Sequence, residues 1–338
     1  MILHNKVDKE VLKCRLHEES FNRITLSFYR FIEIVDPQIF RDELFIQLSE
    51  MLIFGRIYVA TEGINAQISV PEHQLEYFRK YVNNHPFLQG IFLNQAIEET
   101  GKSFYKLKIL VKHKILSDGL INSDFNIYNV GQHLDAVTYN EILGQPNTIV
   151  IDLRNNYEHE VGHFDGALLP DVDTYKESIP VIIRMLEEKN PDNIMLYCTG
   201  GIRCEKFSSY LHHKGFKNVF QLKGGVINYA HQIKQLRIES KFIGKNFVFD
   251  DRMGERVTDD IIAHCHQCGD PADHHVNCAN NACHLLFIQC EKCANIFNKC
   301  CSFECMDHIS LPEETQKQLR KGKVHPNAHH KGKLIKAN

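Results

Sequence analysis

The sequence predicts an α/β protein built in three blocks, and three observations carry that reading. An N-terminal stretch runs through strand-type and helix-type segments in the order β-α-β-β-α-β. A central stretch alternates buried-type strands with helices. Nine of the twelve cysteines then fall between Cys265 and Cys305. A chain of 338 residues has room for more than one domain. With 43% hydrophobic and 24% charged residues it has an ordinary globular composition. The formal net charge of −3 gives no global positive excess, which leaves room for a local basic face. The longest apolar runs, such as "NTIVIDL" and "NIMLYC", are strand-sized and far too short to span a membrane. The first twenty residues carry charges throughout and no apolar signal core, so the expected location is the cytoplasm. There the cysteines call for an explanation other than disulfides.

In the first block (residues 21–118), "ITLSFYRFIEI" reads as a strand and "PQIFRDELFIQLSEMLIF" as an amphipathic helix with Pro37 near its start. "GRIYVAT" and "AQISV" read as strands joined through "EGIN", a Gly-Asn turn of hairpin character. "EHQLEYFRKYVNNH" is a second helix and "YKLKILVKHKIL" a closing strand. This is the order of a ferredoxin-like split unit. In the closing strand Lys106, Lys108, Lys112 and Lys114 share one parity and so one face. Two readings fit: a solvated sheet face, or a stripe that meets phosphates. Residues 1–20, with Cys14, form an N-terminal extension.

In the second block (residues 126–245), "NTIVIDLR" and "NIMLYC" are buried-type strands and "NVFQLKGG" a third. "IPVIIRMLEEK" and "RCEKFSSYLHHKG" are helices, the latter closed by Gly215. Strands alternating with helices predict a parallel sheet covered on both faces. Cys198 ends one strand, and Thr199-Gly200-Gly201-Ile202 turns straight into a helix opened by Arg203. Ligands of open α/β sheets sit at such carboxyl ends. Gly200 and Gly201 let backbone N–H groups converge into an anion-binding nest. The helix start and the Arg203 guanidinium add positive potential, which favours a reactive thiolate at Cys198. Cys204 lies in the first helical turn. It either resolves a disulfide or persulfide with Cys198 or simply packs.

The third block (residues 246–310) contains Cys265-x2-Cys268, Cys278, Cys283, Cys290-x2-Cys293, Cys300-Cys301 and Cys305. Paired Cys-x-x-Cys knuckles in a cytosolic chain are a strong zinc signal. Eight sulfurs fill two tetrahedral structural sites. The spacing of Cys301-x3-Cys305 makes Cys300 the surplus one, and His274, His275 and His284 offer substitutes for a thiolate. Residues 311–338 form a basic tail, too polar to pack and expected to be mobile, with solubilising and nucleic-acid-binding readings both open.

Cys-x-x-Gly-x-Arg between a strand and a helix resembles the active-site loop of rhodanese domains, which commonly carry a cysteine persulfide. Upstream, Asp152, Arg154, Glu158, His163 and Gly166 fall where those domains have their Asp-x-Arg, Glu and Gly-His-x-x-Gly-Ala pattern. With "TEGINA" (61–66), "CTGGIRCEK", "LKGGVINY", "FVFDDR" (247–252) and the cysteine-rich segment, the chain resembles the rhodanese-domain tRNA uridine hydroxylases from about Ile24 to Cys305. The resemblance implies an acylphosphatase-like N-terminal domain, a rhodanese core and oxygen-dependent conversion of the tRNA wobble uridine to 5-hydroxyuridine. It matches Cys198 to the family's essential cysteine.

On this reading the catalytic set is Cys198, Arg203, Gly200, Gly201 and Asp152, with Cys204 in support. A thiolate adding at C6 of uracil would make C5 enolate-like and open to attack on oxygen. Expected tRNA contacts are Lys106, Lys108, Lys112, Lys114, Lys206, Lys223 and Arg252. Molecular oxygen is the co-substrate, and no dinucleotide fingerprint is present. Two other classes stay in view: a sulfurtransferase carrying a persulfide on Cys198, and a non-enzymatic zinc adaptor, against which the intact loop argues.

Overall fold

A computed structural model describes residues 7–98, 103–121 and 124–321. The described residues fall into two compact units. Those up to Ile149, with Pro191–Glu239 and Phe249–Arg252, make the first. Val150–Asn190, Ser240–Val248 and the residues from Met253 onward make the second. Elements are numbered along the chain.

The first unit opens with α1 (Lys9–Glu18), capped by Asp8, whose carboxylate accepts from the Glu10 N–H. The strands β1 (Arg23–Phe31), β2 (Phe54–Ala60), β3 (Gly63–Pro71), β4 (Asn94–Gln95) and β5 (Leu107–Val111) form a sheet in the order β4-β1-β3-β2-β5. Its pairs are antiparallel except β2 with β5. Helices α2 (Pro37–Glu50) and α3 (Leu75–Asn84) supply the apolar cover. Asp36 starts α2 by accepting from the N–H groups of Gln38 and Ile39, and Pro37 fills its first turn. Phe40, Leu44 and Leu48 then recur every four residues and share a core with Phe78, Val82, Leu26, Phe28 and the alternate residues Ile64, Ala66, Ile68 and Val70 of β3. Each of the Val, Leu, Ile and Phe side chains among them contributes roughly 1.5–3 kcal/mol by burial.

The same unit holds most of a second sheet, in the order β6-β10-β9-β7. Its strands are β6 (Gln132–Leu134), β7 (Thr148–Asp152), β9 (Asn193–Tyr197) and β10 (Val219–Leu222), with β10 parallel to both β6 and β9. Its helices are α4 (Ala136–Leu143), α7 (Ile202–His213) and α8 (Gly225–Leu236).

The second unit contains α5 (Asn156–His159), β8 (Gly162–Phe164) and α6 (Tyr175–Lys189). Strands β11 (Phe242–Asn246) and β12 (Glu255–Arg256) join β8 in the order β12-β11-β8. The cysteine-rich segment follows, with the hairpin β13 (His275–Asn277) and β14 (Leu286–Ile288), then α9 (Glu291–Ile296), α10 (Phe303–Ser310) and α11 (Glu313–Arg320). Among the described residues no helix is long and apolar enough to cross a membrane.

Four details depart from the sequence reading. The hairpin turns on Thr61-Glu62, and Asn65 sits inside β3 opposite Tyr58. Gly63 follows the turn because a Cβ there would run into the Arg30 carbonyl across the sheet. The slot beside β1 belongs to the two-residue β4, while Leu107–Val111 lies at the far edge, parallel to β2. That strand stops at Val111, so Lys112 and Lys114 lie beyond it and the four lysines do not form one face. Lys114 turns back to Asp118, at 3.1 Å, and to the carbonyl of Leu120. Finally, α11 is helical within the stretch read as tail; residues 322–338 lie outside the described residues.

Candidate active site

Strand β9 is buried from Ile194 onward and delivers Cys198 to the carboxyl edge of the parallel sheet. Gly201 stands at φ +105°, where a side chain would be strained, and a Cβ there would lie 2.9 Å from the Tyr29 hydroxyl. Its N–H donates to Cys198 Sγ at 3.1 Å. The backbone N–H groups of Arg203 and Cys204 also reach that sulfur, as does the Cys204 thiol. Burial alone pushes the Cys198 thiol up. The Cys204 thiol, the Arg203 guanidinium and the backbone donors outweigh it and bring the pKa from 9.0 down to about 6. The Cys198 thiol is thus covered, 1% exposed, with its ionised form favoured by its neighbours. Cys204 is buried beside it, and Arg203 is also buried, with its guanidinium 5.6 Å from the centre of the Phe249 ring.

The outer carbonyls of the loop are held by α8. Val226 N–H donates to the Cys198 carbonyl at 3.0 Å and Ile227 N–H to that of Thr199 at 3.2 Å. A Cβ on Gly225 would stand 2.5 Å from both carbonyl oxygens. The "LKGG" sequence is therefore what lets a second helix start against the loop.

The N-terminal sheet forms the remaining wall. Asn94 of β4 donates through Nδ2 to the carbonyls of Gly200, at 3.2 Å, and Gly224, at 3.1 Å. Tyr29 of β1 donates to Glu205 Oε2 at 3.3 Å, and His133 Nε2 lies 2.9 Å from the same oxygen. Burial, then the charges of Glu205 and Cys198, hold the Tyr29 phenol well above its ordinary value, so it remains a donor. A cavity of about 450 Å³ opens here, touching the loop at Gly200 and α8 at Gly224, with Tyr29, Glu205 and His133 in its wall. Sequence reasoning missed Asn94, Tyr29, His133 and Glu205. Glu205 alone had a local signal, since it follows Cys204 in the loop-to-helix motif.

The expected phosphate contacts divide. Lys108 and Lys112 are exposed, and Lys223 is exposed at the cavity. Lys106 is half-buried, its ammonium 5.5 Å from the centre of the Tyr105 ring. Lys206 is excluded as a contact: it is 0% exposed, with its ammonium 2.8 Å from Glu62 and 2.7 Å from Asp118. Arg252 is likewise taken up, its Nε donating to Asp250 Oδ1 at 2.8 Å and an Nη donating to Oδ2 at 2.6 Å.

In the second unit Asp152 and Arg154 repeat that arrangement. Arg154 donates from its backbone N–H and Nε to Oδ1, both at 2.9 Å, and from an Nη to Oδ2 at 2.7 Å. The same Nη bonds the Gly162 carbonyl, and neither side chain is exposed. Asp152 is therefore committed to a buried structural pair, which corrects its placement in the catalytic set. Glu158 closes the capping box of α5 with Asn155.

The cysteines sort into two groups, Cys265, Cys268, Cys290 and Cys293, and Cys278, Cys283, Cys301 and Cys305, with the sulfurs of each within 4.8 Å of one another. Four sulfurs ~2.3 Å from a shared centre stand about 3.8 Å apart along a tetrahedral edge. The separations Cys268–Cys290 (3.6 Å), Cys283–Cys301 (3.7 Å) and Cys301–Cys305 (3.7 Å) fit that edge. Both groups can hold a metal ion. Cys300 stays out of them, buried in the small apolar cluster around Phe287.

Comparison with known proteins finds three family models along the chain. A family model described as a UPF0176 acylphosphatase like domain matches residues 23–115, a rhodanese-like domain model matches 135–232, and one described as Rhodanase C-terminal matches 243–306. A tRNA uridine(34) hydroxylase of Pectobacterium carotovorum is 51% identical over 323 residues, spanning 95% of this chain and 91% of its relative. One from Leptospira interrogans is 48% identical over 325 residues, spanning 96% and 89%. With half of its residues identical across nearly its whole length, the chain belongs to the tRNA uridine(34) hydroxylase family.

Proposed function

We propose that the protein hydroxylates C5 of the wobble uridine of tRNA with molecular oxygen, in the cytoplasm, using Cys198 as the attacking group. The observation that carries the reading is 51% identity, over 95% of the chain, to a relative named tRNA uridine(34) hydroxylase. The site supplies a fitting chemistry. A thiolate adds to C6, and the electron pair moves to C5 and O4 as an enolate. Arg203 and the loop N–H groups offset the negative charge handled there. Attack of C5 on oxygen leaves one oxygen atom on the ring. The second leaves as water, which consumes two electrons and two protons from a reductant. Loss of the C5 proton then expels the thiolate and restores the ring double bond.

Cys198 itself is 1% exposed, and the loop residue that borders the cavity is Gly200. Of the expected contacts Lys108, Lys112 and Lys223 are exposed, so tRNA binding is expected to weaken steeply with salt. The two cysteine groups would hold structural zinc, which supplies folding energy to a segment with little apolar core.

Nucleoside mass spectrometry of tRNA from a deletion strain, complemented with wild type or Cys198→Ser, tests the proposal. Loss of 5-hydroxyuridine derivatives, restored by wild type and not by the variant, supports it. Loss of thiolated bases instead would assign the loop to sulfur transfer from a Cys198 persulfide. Hydroxylation retained by Cys198→Ser would sink the covalent route.

A further inference from the structure

The cavity beside the Cys198 loop carries features that the thiolate does not account for. Both hydrogen bonds to the Glu205 carboxylate end on Oε2, from Tyr29 and His133. Its Oε1 has no hydrogen-bond partner among the described residues, although the side chain is only 21% exposed. Phe92 and Tyr128 also line the cavity, and they are 49% and 66% exposed. Rings left in water around a concave site suit the faces of unstacked bases. Lys223 stands exposed in the same lining, as a counter-charge for a phosphate.

The substrate side fits these walls. Uracil offers a single N–H donor at N3 between two carbonyl acceptors. Cytosine has a lone pair at N3 instead. An ionised carboxylate only accepts hydrogen bonds, so it takes the uracil donor and repels the cytosine lone pair. Glu205 is suited to this task by its anchoring. Tyr29 reaches it from β1 and His133 from β6, so its second oxygen is presented in a fixed direction. It also lies in the first turn of α7, whose start forms the Cys198 loop, so a base read there lies next to that loop.

We infer that this cavity is a uracil-reading pocket, in which the open oxygen of Glu205 receives the N3–H of the target base while Phe92 and Tyr128 stack neighbouring bases of a single-stranded RNA loop. The inference rests on the proposed reaction for the identity of the base, and it is tested by binding as well as by turnover. The probes are two anticodon stem–loop RNAs that differ only in uridine or cytidine at the wobble position. Each is titrated against the full chain as wild type, Glu205→Gln and Tyr128→Ala, with turnover of the uridine RNA followed by mass spectrometry.

Wild type is expected to bind the uridine RNA about ten- to a hundredfold more tightly than the cytidine RNA, the range of one lost charge-assisted hydrogen bond. Glu205→Gln should close most of that gap, because an amide can also donate to cytosine N3. Tyr128→Ala should weaken both RNAs alike and leave alkylation of Cys198 unchanged. A wild type that does not discriminate, or a Glu205→Gln protein in which the two affinities fall by one common factor, would overturn the inference. Discrimination in binding without any 5-hydroxyuridine would remove the proposed reaction and leave the pocket standing.

Discussion

Cys198 is predicted to react as a thiolate at neutral pH, and to react slowly. Its pKa of about 6, against an ordinary 9.0, makes it roughly 95% ionised at pH 7.4 where an ordinary thiol would be a few per cent ionised. Burial opposes that ionisation, so the thiolate depends on its donors, of which the Cys204 thiol is first and Arg203 second. The perturbation is Cys204→Ala, followed across pH by peptide-resolved alkylation with iodoacetamide. In wild type the rate should rise with a midpoint near pH 6 to a low plateau, because 1% exposure limits access. In Cys204→Ala the midpoint should move upward, and Cys204→Ser, which keeps a donor, should move it less.

The same ionisation enters stability. A thiol whose folded pKa is depressed contributes stability that is fully present above its unfolded pKa, near 9, and is lost as pH falls towards 6. The full contribution is about 4 kcal/mol, accumulating at about 1.4 kcal/mol per pH unit across that window. Urea unfolding of wild type and Cys198→Ser, compared at pH 6, 7.5 and 9 under reducing conditions, should show the difference growing with pH. A wild-type alkylation midpoint at 8.5 or above, or a midpoint indifferent to Cys204→Ala, would refute the reasoning.

Three further outcomes are expected. Lys206→Met removes the buried ammonium shared by Glu62 and Asp118, leaving Asp118 with Lys114 and Glu62 with the Ile115 N–H, and should cost about 3 kcal/mol, read as a lower urea midpoint, while a surface Lys108→Met should change stability little. Asn94→Ala leaves the Gly200 and Gly224 carbonyls without their side-chain donor and should slow turnover about tenfold or more, with the alkylation midpoint of Cys198 unmoved. Elemental analysis of reduced protein should find two metal equivalents, and Cys268→Ser and Cys283→Ser should each lose one of them.

Much of this was legible in the sequence, and the limits have physical causes. The Cys198 loop could be read because strand, glycines, arginine and helix are contiguous, so local backbone rules fix the nest. The two groups of four cysteines that could hold a metal ion had a signal in the sequence because their knuckle spacings are local as well. Tyr29 and Glu205 lie 176 positions apart, and Asn94 and Gly200 lie 106 apart, so only the tertiary fold pairs them. The lysine stripe failed because parity holds only while the strand lasts, and β5 ends at Val111. Lys206 failed because a helix side chain can face two carboxylates from elsewhere in the chain. Asp152 and Arg252 had a readable signal. Both lie in Asp-x-Arg, a spacing that lets the arginine fold back onto the carboxylate two residues before it, and both do so with nearly the same bond lengths.

The role of the N-terminal sheet follows from the period of its strands. Helices α2 and α3 cover the face that carries Leu26 and Phe28, so the opposite parity of β1 turns Ser27 and Tyr29 to the other face. A sheet with helices on one side needs a second cover, and here the Cys198 loop meets it. A Cβ on Gly200 would lie 3.9 Å from Ser27 Oγ, and one on Gly201 would press on Tyr29. Behind the loop, Glu62 and Asp118 grip Lys206 of α7, and the other Glu62 oxygen accepts from the Ile115 N–H at 2.7 Å. The helix that follows the Cys198 loop is therefore held from the N-terminal domain by a buried ion cluster, while Asn94 holds the loop itself. A persulfide carrier needs only the loop and its donors. A protein acting on a base needs walls that place a flat ring, and Asn94, Tyr29 and the residues around them supply those walls from a domain that takes no part in forming the thiolate nest.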